Sequence, residues 1–188
     1  MADSNDLRVY MHPVEFSQVL GIVHAVGARR CLEWGSGGST RALLAACPFI
    51  ERYVAVEHDR AWYEQVKARV SDPRLELHLA EPDEPLLPGR RGEAEQIAWN
   101  ARAEREPALC RGYVALPGTL GMEFDFALVD GRARRFCLRA GFELLRPGGV
   151  LVLHDAQRTD YHDAVHALGP SLFLTPWEQG QVCLVRKG

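Results

Sequence analysis

The feature that most constrains this chain is a repeated alternation between short apolar runs and segments with helical periodicity. Cys31 to Trp34, Tyr53 to Val56, Leu75 to Leu79, Phe124 to Val129 and Val150 to Leu153 read as strands. Ahead of the first, Phe16, Val19, Leu20, Val23 and Val26 recur at three- and four-residue spacing, which predicts a helix from Pro13 to Gly27. Ser39 to Cys47 is a second helix. Asp59 caps a third that carries Trp62, Tyr63, Val66 and Val70. A fourth runs through Phe136, Ala140, Leu144 and Leu145 and stops at Arg146-Pro147-Gly148-Gly149. Tyr161 to Leu168 is a shorter helix. Strands at Ser171 to Leu174 and Gln181 to Val185 then flank a loop from Thr175 to Gly180. Alternation of this kind predicts an α/β fold with a doubly wound, mostly parallel sheet and right-handed crossovers.

Ligands of such sheets gather at the carboxyl ends of the strands. In this chain those ends carry Glu33 to Ser39, Glu57, Glu81, Asp130 and His154-Asp155. Gly35-Ser36-Gly37-Gly38-Ser39 lets the backbone pass close to a ligand and aims helix-start N–H groups at it. Glu33 beside that loop suits an amino-bearing ligand and would repel a pyrophosphate. Glu57 lies 22 residues after Gly35, where an acid binds two ribose hydroxyls. Glu81 is placed to reach an adenine amino group or to sit in solvent. Asp130, His154 and Asp155 are the candidate groups for taking a proton from an oxygen nucleophile. Arg132, Arg134, Arg135 and Arg158 leave the same edge and would suit an anionic acceptor or a solvated helix face.

From Glu81 to Met122 the alternation is interrupted for about 40 residues, longer than an ordinary loop, which predicts a functional insertion or lid within a single domain spanning 1–188. Glu93 to Glu106 is its one expected helix, polar and on the surface. Trp99 is placed either to cover a ligand or to staple the insertion to the core.

Four segments in order resemble class I S-adenosylmethionine-dependent methyltransferases. Leu32-Glu33-Trp34-Gly35-Ser36-Gly37-Gly38-Ser39-Thr40 resembles their first motif, and Glu57-His58-Asp59 their acidic second motif. Phe124 to Gly131 resembles the fourth-strand motif, and Leu145 to Leu151 the turn into the fifth strand. The resemblance implies a seven-stranded Rossmann-like methyltransferase sheet closed by an antiparallel C-terminal hairpin. It also implies S-adenosylmethionine as cofactor, held by Glu33, Gly35, Ser36, Gly37, Ser39, Thr40, Glu57, His58, Glu81 and Asp130. The pattern is nearest to small-molecule O-methyltransferases of the catechol type. Those hold magnesium with an Asp after the fourth strand and an Asp-Asn pair after the fifth. Asp130 and Asp155 match two of these ligands, but Ala156 stands where the Asn would be. Magnesium is therefore left open without being favoured.

Composition narrows the rest. A net charge of −3 over 188 residues argues against a general nucleic-acid or anionic-membrane binder. Five scattered cysteines without a C-x-x-C pair predict buried, reduced thiols rather than a disulfide framework, and a cytoplasmic setting. No apolar run is long enough to span a membrane. The expected function is methyl transfer to a small-molecule acceptor, at oxygen. A non-catalytic nucleoside-binding or S-adenosylmethionine-binding protein and, less favoured, an NAD-dependent oxidoreductase are the alternatives.

Overall fold

A computed structural model of the chain describes residues 7–84, 92–176, 178 and 180–188. Seven strands form one sheet: β1 (Arg30–Trp34), β2 (Arg52–Glu57), β3 (Leu75–Leu79), β4 (Phe124–Val129), β5 (Leu145–His154), β6 (Ser171–Phe173) and β7 (Val182–Arg186). Their order is β3-β2-β1-β4-β5-β7-β6. The first five run parallel to one another, and β7 runs antiparallel to both β5 and β6. The helices are α1 (Pro13–Val26), α2 (Gly38–Ala46), α3 (Arg60–Arg69), α4 (Glu93–Ala103), α5 (Arg111–Ala115), α6 (Arg134–Leu144) and α7 (His162–His166). This is the doubly wound sheet with a C-terminal hairpin that the sequence pattern predicts.

Successive side chains on a strand point to opposite faces, so a strand covered on both sides must be apolar throughout. Leu32, Trp34, Ala127, Val129, Leu151 and Leu153 join one core with α4, α5, α6 and α7. Their strand neighbours Cys31, Phe126, Leu128, Val150 and Val152 join a second core with α1 and α2. All five cysteines are free and buried in these layers.

Three elements differ from the sequence reading. The fifth strand begins at Leu145, not Val150. Arg146-Pro147-Gly148-Gly149 lies inside it as an irregularity, with register shifting between Phe124 and Phe126 on the neighbouring strand. Gly148 there adopts φ 79°, a conformation glycine supplies without a Cβ clash. The helix expected over Tyr161 to Leu168 is a 3-10 turn at Thr159–Tyr161 followed by the single turn of α7. In the insertion, α4 is joined by α5 and a further 3-10 turn at Leu116–Leu120. That region is not merely superficial: Tyr113 is fully buried, and its carbonyl accepts from the Trp34 indole at 3.1 Å. Within the expected hairpin loop, Trp177 and Gln179 lie outside the described residues.

Candidate active site

The chain steps from β1 outward to β2 and β3, and then from β4 outward the other way. The strand order reverses between β1 and β4, the point at whose carboxyl ends ligands of such sheets bind. Gly35 follows β1 and Gly131 follows β4. Gly35 has φ 96°, and a Cβ there would stand 2.7 Å from the Gly131 Cα. Only glycine permits this approach.

On the β1–β2 side the acids are already saturated by the protein. Glu33 is fully buried and accepts from the hydroxyls of Ser39, Thr40 and Tyr53, the last at 3.0 Å. Burial pushes its pKa up to about 7 against the opposing pull of those three donors. It braces the glycine loop from beneath rather than facing open space, unlike the ligand-facing position its sequence context suggests. Thr40 also accepts from the Gly37 N–H at 2.9 Å. Glu57 is buried too. One oxygen accepts from Ser36 N and Ser36 Oγ, both at 3.2 Å, and the other from the N–H groups of His58 and Asp59 at 2.8 and 2.9 Å. The imidazole of His58 stacks on Trp99 with 5.8 Å between centroids and 16° between planes, and Trp99 donates to the Glu84 carbonyl. Trp99 thus staples the insertion and covers the end of β2 at once. Glu81 is not drawn into this group; its carboxylate pairs with Arg60 at the surface.

The β4–β5 side is built differently. Asp130 Oδ1 lies 2.7 Å from His154 Nδ1. A carboxylate only accepts, so Nδ1 carries the proton and Nε2 is left as the site that takes or releases one. Nε2 has no hydrogen-bond partner and lies 3.5 Å from Glu15 Oε2, contributed by α1. Burial pulls the His154 pKa down, but the Asp130 hydrogen bond and the charges of Asp130 and Asp155 outweigh it, so the net direction is up. Asp155 sits at φ 59°, a strained conformation that Asp tolerates better than most residues. Burial raises its pKa, yet Arg134, His154 and Arg158 reverse that and hold it below the usual carboxylate range.

Arg134 is itself buried. It donates to Asp130 Oδ1 at 3.2 Å, to Asp155 Oδ2 at 3.1 Å and to the carbonyls of Asp130, Gly131 and His154. Its guanidinium occupies the space between the two carboxylates, and Ala156 supplies no donor atom. The residues therefore do not fit a magnesium ion, and no group of three or more His, Cys, Asp or Glu that could hold a metal occurs among the described residues. The expected basic rim is likewise largely committed: Arg134 as above, Arg135 to Asp163 and the Asp160 carbonyl, and Arg158 to Asp155 at 2.9 Å.

Glu15 is the residue the sequence reading missed. It is buried, and its Oε2 accepts from the His12 N–H at 2.9 Å as part of a helix-start capping box. The signal was its spacing: Glu15, Val19 and Val23 share the buried face of α1, so an acid stands on an apolar stripe.

No family model matches the chain, and no curated protein matches it by sequence. Solved structures do match by fold. A methyltransferase-like protein of Silicibacter pomeroyi is 22% identical, with 98% of this chain and 91% of that chain covered and a TM-score of 0.63. The O-methyltransferase TomG of Streptomyces achromogenes, in complex with S-adenosylmethionine, is 18% identical over 95% of this chain and 82% of its own, with a TM-score of 0.60. An O-methyltransferase of Bacillus cereus in complex with S-adenosylhomocysteine is 16% identical over 98% and 84%, with a TM-score of 0.61. The fold is the seven-stranded one used by S-adenosylmethionine-dependent methyltransferases. Among the described residues no helix is long and apolar enough to cross a membrane.

Proposed function

We propose that this chain transfers a methyl group from S-adenosylmethionine to a hydroxyl of a small molecule. The observation that carries the reading is the Asp130–His154 pair, whose histidine lines a pocket of about 280 Å³ at the end of β5, bounded by Glu15 of α1 and by Glu178 and Gly180. The O-methyltransferases among the structural neighbours support the same assignment. The β1–β2 side fits a nucleoside: Glu57 stands where ribose hydroxyls would bind, His58 and Trp99 offer flat faces, and the buried Tyr113 hydroxyl beside Gly131 has no partner. A bound nucleoside diol would compete with Ser36, whose two 3.2 Å contacts are the longest made to Glu57.

When bound, S-adenosylmethionine supplies an electrophilic methyl group and leaves as a neutral thioether. The chain supplies placement and proton handling. Gly35 and Gly131 set how closely a ligand can approach the backbone. Asp130 fixes the tautomer and tilt of His154, and Nε2 accepts the hydroxyl proton as the oxygen attacks. Arg134 holds Asp130 and Asp155 in register without a metal. Positioning of this kind contributes on the order of 7–11 kcal/mol to such a reaction.

Calorimetric titration with S-adenosylhomocysteine, with NAD in a parallel run, tests the assignment. Micromolar binding of the first and none of the second is expected. Binding of NAD alone would overturn it in favour of the oxidoreductase alternative.

A further inference from the structure

The pocket beyond His154 carries an unusual set of unsatisfied atoms. Glu15 Oε1, His154 Nε2 and Gln157 Oε1 are all buried, all belong to residues lining the one pocket, and none has a hydrogen-bond partner. Their polarity is the same. Glu15 is a carboxylate, His154 Nε2 is an acceptor because Nδ1 holds the proton, and Gln157 already uses its amide N–H on Asp155 at 3.2 Å. Buried polar groups are normally paired, so a ligand here has to bring donors.

Charge points the same way. Glu15, Asp155 and Glu178 line the pocket against one guanidinium, Arg158, which is bonded to Asp155. The other nearby guanidinium, Arg134, is shared between Asp130 and Asp155. Glu15 is left with no arginine or lysine among its described partners, although its side chain is only 5% exposed. A carboxylate or phosphate on the acceptor would meet three acceptor atoms and no uncommitted guanidinium.

We infer that the acceptor is a hydroxylated amine: its hydroxyl donates to His154 Nε2, and an ammonium on the neighbouring carbon donates to Glu15. This inference rests on the methyltransferase reading. During transfer the hydroxyl oxygen forms the new bond to the methyl carbon, the carbon–sulfur bond breaks with its electron pair left on sulfur, and the hydroxyl proton passes to Nε2. The ammonium keeps its proton throughout, and Glu15 together with Gln157 decides which acceptors enter. The expectation of an anionic acceptor, drawn from the arginines, gives way to a cationic one because Arg134, Arg135 and Arg158 are already paired and Arg132 is not among the residues lining the pocket.

Three matched probes test this: trans-2-aminocyclohexanol, trans-cyclohexane-1,2-diol and trans-2-hydroxycyclohexanecarboxylate. Each is titrated by ligand-observed NMR against the protein with S-adenosylhomocysteine present. The amine is expected to bind at least about tenfold more tightly than the diol, with the carboxylate weakest. Glu15→Gln retains an acceptor for the His12 N–H while removing the charge and turning the other oxygen into an N–H donor, so a cooperative melt with the amine preference reduced to that of the diol is the supporting result. Equal or tighter binding of the carboxylate, an amine preference untouched by Glu15→Gln, or no binding of any probe overturns the acceptor class while S-adenosylhomocysteine still binds. Failure of S-adenosylhomocysteine itself to bind overturns the methyltransferase reading instead.

Discussion

The two halves of the sheet's carboxyl edge spend their polar groups in opposite ways. At the ends of β1 and β2, Glu33 and Glu57 are buried with their oxygens filled by hydroxyls and backbone N–H groups of the same loops. At the ends of β4 and β5, Asp130 and Asp155 converge on a buried arginine, and His154 Nε2 and Glu15 Oε1 are left open beside a pocket. A site that binds the same cofactor in every cycle can be pre-shaped by its own chain. A site that must move a proton needs a group whose partner arrives with the substrate. Under the proposed function, the first half is the cofactor side and the second the side of chemistry.

Substitutions on the chemical side should separate activity from stability. The largest expected effect belongs to His154→Gln, which keeps the side chain polar and comparable in size but cannot cycle a proton. Turnover should fall by about 10²–10⁴-fold, the usual worth of a positioned general base, in a methyl-transfer assay. An unchanged rate would move the proton acceptor elsewhere. In the parent, turnover should rise with pH through a His154 pKa above 6.5, because Asp130 and Asp155 outweigh burial and Arg134 there, with Glu15 facing the same imidazole.

Next comes Arg134→Met. It leaves two largely buried carboxylates without their shared cation, and breaking such an arrangement typically costs about 3–5 kcal/mol. Chemical denaturation reads this directly. A loss below 1 kcal/mol would mean that Asp130 and Asp155 do not depend on the guanidinium.

On the cofactor side the expected signature is a pH slope. Glu33 has a folded pKa raised to about 7 by burial, against an ordinary value of 4.5. Between those values the folded chain holds a proton the unfolded chain has lost, so stability falls as pH rises through that window. The full effect is on the order of 3 kcal/mol. Glu33→Gln should flatten the fall in unfolding free energy between pH 4.5 and about 7, the window set by that shift. A slope identical to the parent's would place Glu33 in contact with solvent or a compensating charge.

The smallest effects lie at the seam between the halves. A Cβ on Gly131 would overlap the Tyr113 hydroxyl and stand 3.0 Å from Gly35 N. Gly131→Ala should cost about 1–3 kcal/mol as an overpacked site. Tyr113→Phe removes a buried hydroxyl without a partner, so it should change stability by less than about 1 kcal/mol alone and recover part of the Gly131→Ala loss. Strict additivity in the double-mutant cycle would break the seam as described.

The sheet was legible because its central strands are apolar on both faces, its edge strand at Leu75 to Leu79 alternates, and its helices carry separate stripes. Asp130, His154 and Asp155 were legible as a group because strand ends converge in this topology. What each acid faces was not. Glu33 and Glu57 sit at ligand-binding positions, but only the packed loops show Ser39, Thr40, Tyr53 and Ser36 occupying their oxygens. Glu15 and His154 meet through the packing of α1 near the end of β5, a contact between residues far apart in sequence. Arg134 looked like a surface cation because its burial depends on Asp130 and Asp155 closing around it. In the insertion the staple at Trp99 was legible as one of two roles, but the burial of Tyr113 was not, because it is an isolated aromatic with no periodicity to mark its inward face.

The division between the two halves is tested most directly by titrating S-adenosylhomocysteine calorimetrically into Glu57→Ala and His154→Gln beside the parent. Tight binding is expected of the parent and of His154→Gln, with Glu57→Ala at least about tenfold weaker. Equal weakening in both variants, or none in Glu57→Ala, would contradict that division.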